Sequence, residues 1–351
     1  MQYNKTEFGQ IDSKQVLLIT CTSASGQYVQ VTNYGGIIHA WHCLDHEGKL
    51  QDVLLGCKYL DGYLARHPYF GAIIGRYANR INLGRFDLNG QTYQLQKNHA
   101  PHHLHGGYEG FDKKIWDVDI FPEDDSIKIS LTTQSSHMEE GYPGHLQVKV
   151  DITYNQNNEL KFEYFATTDQ DTHINLTNHC YFNLSGNPHS DVLDHEIMIE
   201  AKYITEANQE GIPTGKIIPV QDTAMDLTTF KRLCDIHFEL HHEFDYTKGF
   251  DHNYIIDHQS GKSVAKALHR KSGRRLSIYT DQPGIQLYIG NWLGGVSGKH
   301  GIYQDFAGFC LETQHYPDSP NHPHFPSTLL SPGKSYQTYT IYKIDIKGDD
   351  I

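Results

Sequence analysis

Leu146-Gln147-Val148-Lys149-Val150-Asp151-Ile152-Thr153-Tyr154, a polar link over 155–158, and Glu159-Leu160-Lys161-Phe162-Glu163-Tyr164-Phe165-Ala166-Thr167 form the most regular stretch of the chain. Apolar residues recur at every second position, and Leu160, Phe162, Tyr164 and Ala166 fall on one side. A period of two is that of a strand with one buried face. The link, Asn-Gln-Asn-Asn, has turn chemistry, because Asn side chains bond their own backbone and tolerate left-handed dihedrals. Two such runs so joined predict neighbouring antiparallel strands.

The pattern spreads both ways. Upstream, strands are expected over 28–32, 36–41, 52–55, 115–121 and 126–133, and two short runs around Asn89-Gly90 within 86–95 predict a tight hairpin. Downstream they are expected over 195–200, 253–256, 274–280, 285–290, 308–312 and 336–344; only 222–240 suggests a helical turn or two. Many short strands without alternating crossover helices predict an all-β fold, a large antiparallel β-sandwich forming one domain over 1–351. No fixed-period repeat of the propeller or solenoid kind occurs.

With 42 acidic against 29 basic residues and a net charge of −13, the chain is not expected to bind nucleic acid or an anionic membrane. Residues 1–20 lack the basic flank and apolar core of a signal peptide, and no run of about 18 apolar residues occurs, so a cytoplasmic location is expected. The six cysteines are scattered without a CxxC pair and read as buried free thiols. The 24 histidines count as functional only where their neighbours give them a task.

Five stretches carry polar groups that a plain sandwich does not require. Gly308-Phe309-Cys310-Leu311-Glu312 ends a strand-like run in an acid, and a Pro-rich loop, 313–326, follows. Prolines stiffen the backbone around them, so Glu312 is either a positioned general base or a solvent-facing carboxylate at a strand end. Gly75-Arg76-Tyr77-Ala78-Asn79-Arg80-Ile81 places two cations and an amide among small residues; an Arg fork can hold sugar hydroxyls or a carboxylate, or an acidic neighbour at the surface. In His102-His103-Leu104-His105-Gly106-Gly107, His103 and His105 would share a strand face, but no further ligands declare a zinc site. His179, between Asn178 and Cys180 in a mostly apolar run, is a buried functional imidazole or a satisfied core histidine. Gly249-Phe250-Asp251-His252-Asn253-Tyr254 sets an acid at a strand start, where the alternative is an Asx turn.

Taken together, and with Gly141-Tyr142-Pro143-Gly144, Ile212-Pro213-Thr214-Gly215 and Pro283-Gly284-Ile285-Gln286 in order, these stretches resemble the aldose 1-epimerase (mutarotase) family over nearly the whole chain. The resemblance implies a galactose mutarotase-like supersandwich, with Glu312 as general base and His179 as general acid. It implies Arg80, His105 and Asp251 as sugar-binding residues, with Asn79 and Gln286 as further substrate contacts. It implies a small-molecule sugar substrate such as galactose or glucose, no cofactor or metal, and a monomer or homodimer. Two departures are Cys180, where a small hydroxyl residue is common, and the histidines at 315, 322 and 324. Two alternatives stand beside this reading: a carbohydrate-binding sandwich without turnover, and an epimerase of hexose phosphates, which would want clustered cations.

Overall fold

The computed structural model describes residues 1–65, 67–258 and 261–346. Three antiparallel sheets organise them. The largest has nine strands in the order Asp117–Pro122, Ser126–Ser135, Leu146–Asn155, Glu159–Thr168, Tyr336–Ile346, Arg274–Thr280, Ala265–Leu268, Glu196–Ile199 and Lys231–Arg232. A five-stranded sheet runs Pro213–Pro219, Tyr203–Ala207, Asp251–Ile255, Gly284–Tyr288, Cys310–Gln314. A second five-stranded sheet is a meander of Gln2–Ile11, Lys14–Thr22, Tyr28–Thr32, Ile38–Leu44 and Leu50–Asp52.

The alternating stretch takes its expected form. Leu160, Phe162, Tyr164 and Ala166 are buried in the main core, and their strand pairs antiparallel with Leu146–Asn155 on one side and Tyr336–Ile346 on the other. The same alternation on Cys310–Gln314 faces Leu311 and Thr313 toward the large sheet: the Tyr342 hydroxyl donates to the Leu311 carbonyl at 3.3 Å, and the Thr313 and Thr340 hydroxyls meet at 2.5 Å. Cys310, Glu312 and Gln314 therefore share the opposite face.

Several boundaries depart from expectation for local reasons. The run at 308–312 becomes Cys310–Gln314 because Phe309 is spent on a bridge to Phe182, each backbone N–H donating to the other's carbonyl. Glu312 thus lies inside the strand and is 2% exposed, which overturns the solvent-facing alternative. The strand expected at 52–55 stops at Asp52, whose Oδ1 accepts the N–H groups of Trp41 and Leu54 and ends the ladder. The region 222–240 holds two 3-10 turns, Leu233–Asp235 and Phe238–Leu240, and a short helix at Leu60–Leu64 was not expected. Unforeseen strands include Gln2–Ile11, which is polar on both faces and largely exposed at a sheet edge, so no apolar alternation announces it.

Candidate active site

The five-stranded sheet that ends in Cys310–Gln314 carries a polar face on which cross-strand rows are set by register. Asn253, Gln286 and Glu312 form one row, and Asp251, Tyr288 and Cys310 form the next. This face floors a cleft of about 350 Å³, within the usual range for ligand pockets. Its lining includes Tyr69, Asn79, Arg80, His105, His179, Asp251 and Glu312.

His179 follows the two-residue strand Thr177–Asn178. Its backbone is pinned on both sides, with its N–H donating to the Ala72 carbonyl at 2.9 Å and its carbonyl accepting from Gly71 at 3.0 Å. The ring is clasped by Tyr181 (centroids 5.0 Å apart, planes 19° apart) and Tyr69 (5.9 Å, 23°). Nε2 stands 3.5 Å from Glu312 Oε2, and Nδ1 stands 3.4 Å from Cys310 Sγ. Strand alternation explains this pairing: Cys310 and Glu312, two residues apart, present a thiol and a carboxylate to the two nitrogens of one ring.

His105 arrives from another direction. The strand His103–Leu104 ends just before it and His105 takes φ 50°, so it does not share a strand face with His103. The His103 nitrogens are engaged by the Gln96 carbonyl and the Tyr142 hydroxyl, whereas His105 Nδ1 accepts the Asn79 N–H at 3.1 Å. Gly106 makes this turn possible: at φ 87°, a Cβ there would lie 1.8 Å from the Gly75 carbonyl oxygen. Asn79 is itself left-handed, and its Oδ1 accepts the Arg80 N–H at 2.8 Å. Arg80 reaches Asp251 at 3.4 Å, and Gln286 Nε2 donates to the other Asp251 oxygen at 2.8 Å.

Burial dominates the electrostatics of the acid–base pair. It pushes Glu312 well above the ordinary carboxylate value, reinforced by Asp251 and opposed by Arg80. It lowers His179 to about 4, against the field of Asp251. Asp251 therefore does not sustain an imidazolium at His179, because desolvation outweighs it. A carboxylic acid beside a neutral imidazole nevertheless has the same proton count as a carboxylate beside an imidazolium. Burial also pushes Asp251 up, but Arg80 and the Gln286 amide outweigh it and hold that carboxyl below its ordinary value.

The ligating atoms of His105, His179 and Glu312 lie within 4.8 Å of one another, which raises the question of a metal ion. With Nδ1 of His105 occupied by a backbone N–H, a neutral ring carries its proton on Nε2. That nitrogen is a donor suited to a hydroxyl oxygen and not a metal ligand. Arg76 also turns away from the cleft: it is buried, donating to oxygens of Ser135, Ser136, Pro143 and Thr172. It supplies no second cation beside Arg80. Tyr69, Tyr181 and Cys310 are the site residues that sequence reasoning missed, although Tyr181 sits two positions from His179 and Cys310 two from Glu312.

A buried carboxylate and imidazole meet on the polar face of a β-sandwich, among an arginine, an amide and further carboxyl and imidazole groups, an arrangement suited to acid–base chemistry on a small polar molecule. The aldose 1-epimerase family model matches residues 18–343. A galactose mutarotase of Rattus norvegicus is 41% identical over 346 residues, covering 97% of this chain and 98% of its own. An aldose 1-epimerase of Escherichia coli is 32% identical over 337 residues, covering 95% and 96%. The solved structure of an aldose epimerase homologue from C. elegans superposes with a TM-score of 0.87 at 29% identity, covering 94% of this chain and 99% of that one. The chain belongs to the aldose 1-epimerase family and is an isomerase acting on carbohydrates.

Proposed function

We propose that the chain interconverts the α and β anomers of free aldohexoses such as galactose and glucose, with Glu312 as base and His179 as acid. One observation carries the assignment: a carboxylate oxygen and an imidazole nitrogen meet 3.5 Å apart in a buried site. The hemiacetal asks for this closeness, since the hydroxyl that loses a proton and the ring oxygen that gains one are bonded to the same carbon. Glu312 takes the proton from the C1 hydroxyl, whose electrons form the C1 carbonyl as the bond from C1 to the ring oxygen breaks. The ring oxygen takes the proton from His179. Rotation about C1–C2 and reversal of both transfers close the ring on the other face. The cycle consumes nothing and restores both groups.

Opening requires Glu312 ionised and His179 protonated, and the completed opening leaves the carboxylic acid and neutral imidazole that burial favours. The site is thus matched to the open-chain state, an electrostatic preference expressed along the reaction and not in the closed sugar. Arg80, His105 and Asp251 hold the remaining hydroxyls, with Asn79 positioning Arg80 and Gln286 positioning Asp251. Arg76 sits among buried oxygens, which favours free sugars over phosphorylated ones. All six cysteines are free, five of them buried and Cys234 exposed against the expectation of six buried thiols, as suits a reducing compartment such as the cytoplasm.

Polarimetry on freshly dissolved α-D-galactose and α-D-glucose tests the reading. Acceleration over the spontaneous rate is expected, with Glu312→Gln and His179→Asn each losing about 10²–10⁴-fold while still binding sugar. Binding without acceleration by the unmodified protein would instead identify a sugar-binding sandwich, and near-native turnover in Glu312→Gln would remove the base from its role.

A further inference from the structure

Glu243 is a buried carboxylate outside the cleft, 5% exposed, in the 3-10 turn His242–Phe244. Both of its oxygens face the Ala207 N–H, at 3.2 and 3.3 Å. His252 Nε2 stands 3.5 Å from Glu243 Oε2 and 3.2 Å from the Glu243 carbonyl. At the other end of that ring, His252 Nδ1 accepts the N–H of Asp251 at 3.0 Å. The tautomer follows: an acceptor at Nδ1 places the proton on Nε2, which donates toward Glu243. A chain of hydrogen bonds therefore runs from Glu243 through His252 to the backbone of Asp251, on the side of the strand that faces away from the sugar.

The same carboxylate joins two loops of the cleft wall. Beyond Ala207, Gln209, Glu210 and Gly211 line the cleft, and Gly211 lies so close that a Cβ on it would come within 3.1 Å of the Arg80 guanidinium carbon. Beyond Glu243, Tyr246 and Thr247 line the same wall, and Gln209 Nε2 donates to the Tyr246 hydroxyl at 2.8 Å. Burial raises the proton affinity of Glu243, and a buried charge contributes little net stability once its desolvation is counted. What Glu243 supplies here is position.

We propose that Glu243 is a positioning residue for sugar binding, setting Asp251 through His252 and the Arg80 wall through Ala207. This rests on the sugar-binding role given to Asp251 above. Removing the charge loosens both partners of the Arg80–Asp251 pair without touching Glu312 or His179, so affinity falls and the proton transfers do not.

The test is mutarotation kinetics on Glu243→Gln and His252→Leu, with Asp251→Ala and, as a control, His237→Ala, an exposed histidine nearby whose ring meets Glu239 and not Glu243. KM is expected to rise about tenfold in Glu243→Gln, the equivalent of one weakened charged hydrogen bond, with kcat within about twofold. His252→Leu should behave alike, and the double variant should be no worse than the worse single, since both cut one chain. His237→Ala should leave KM unchanged. A lower melting temperature with unaltered KM in Glu243→Gln would overturn the proposal, as would additive effects in the double variant. Should Glu243→Gln not fold, His252→Leu alone decides by the same split. If Asp251→Ala leaves KM unchanged, the sugar-binding role of Asp251 fails; if Asp251→Ala raises KM and Glu243→Gln does not, only the positioning role fails.

Discussion

Burial acts on Glu312 and His179 in opposite senses, raising one and lowering the other, so the two titrate as a pair and not as independent groups. In the proposed mechanism, activity requires one proton on the pair. It should fall on the acid side as a second proton is added below about pH 4, where His179 titrates, and on the alkaline side as the last proton leaves. Asp251 raises Glu312, and Arg80 lowers it. Asp251→Asn should therefore move the alkaline limb of kcat to lower pH, and Arg80→Met should move it higher; a limb unmoved by either substitution would show that it reports another group. At this scale the sequence was informative wherever a polar residue interrupts an apolar run, as at Glu312, His179 and Asp251. It was silent on Tyr69, Cys310 and Glu243, whose contacts come from residues far away in the chain. It also gave no sign that desolvation would outweigh the nearby acids at His179, because burial is a property of the assembled sheets.

Strand alternation does most to place the site, and it was also the most legible property of the chain. The run from Glu159 showed which residues enter the core, and the same rule puts Leu311 and Thr313 on one face and Glu312 on the other. Less legible were elements defined by their neighbours. The edge strand Gln2–Ile11 has no apolar face, and the strand around Glu312 shifted by two residues because Phe309 pairs elsewhere. The turn at His105 belongs with these. Its fit against Gly75 leaves no room for a side chain at Gly106, so Gly106→Ala should displace His105 and Asn79 together. We expect a loss of several kcal/mol in stability, as for other strained or overpacked sites, read by denaturant unfolding, and a raised KM in whatever protein remains folded. Native stability in that variant would mean that the turn can open without cost.

Over the whole molecule, pH reaches stability through buried acids away from the cleft. Asp112, 1% exposed in the turn Phe111–Lys113, has its carboxyl raised by burial to about 6 from an ordinary 3.8, with Lys113 only partly opposing. Because the folded value lies above the unfolded one, the stability this group allows is fully present below about pH 3.8 and is lost as pH rises through about 6. Asp112→Asn keeps the neutral form at every pH and should raise the melting temperature at pH 7.5, by up to about 3 kcal/mol in stability, with the gain vanishing near pH 4. An equal gain at both pH values would point to packing instead of charge. The order of the nine-stranded sheet has a consequence for how the protein is made. Tyr336–Ile346, the last strand described, lies in the middle of that sheet, between Glu159–Thr168 and Arg274–Thr280. A chain emerging from the ribosome therefore holds two half-sheets with no seam between them, and Leu311 and Thr313 lack the wall against which they pack. The strand bearing Glu312 gains its backing only once Tyr336–Ile346 has been made, so the floor of the cleft is set after every other described strand of the large sheet is already in place.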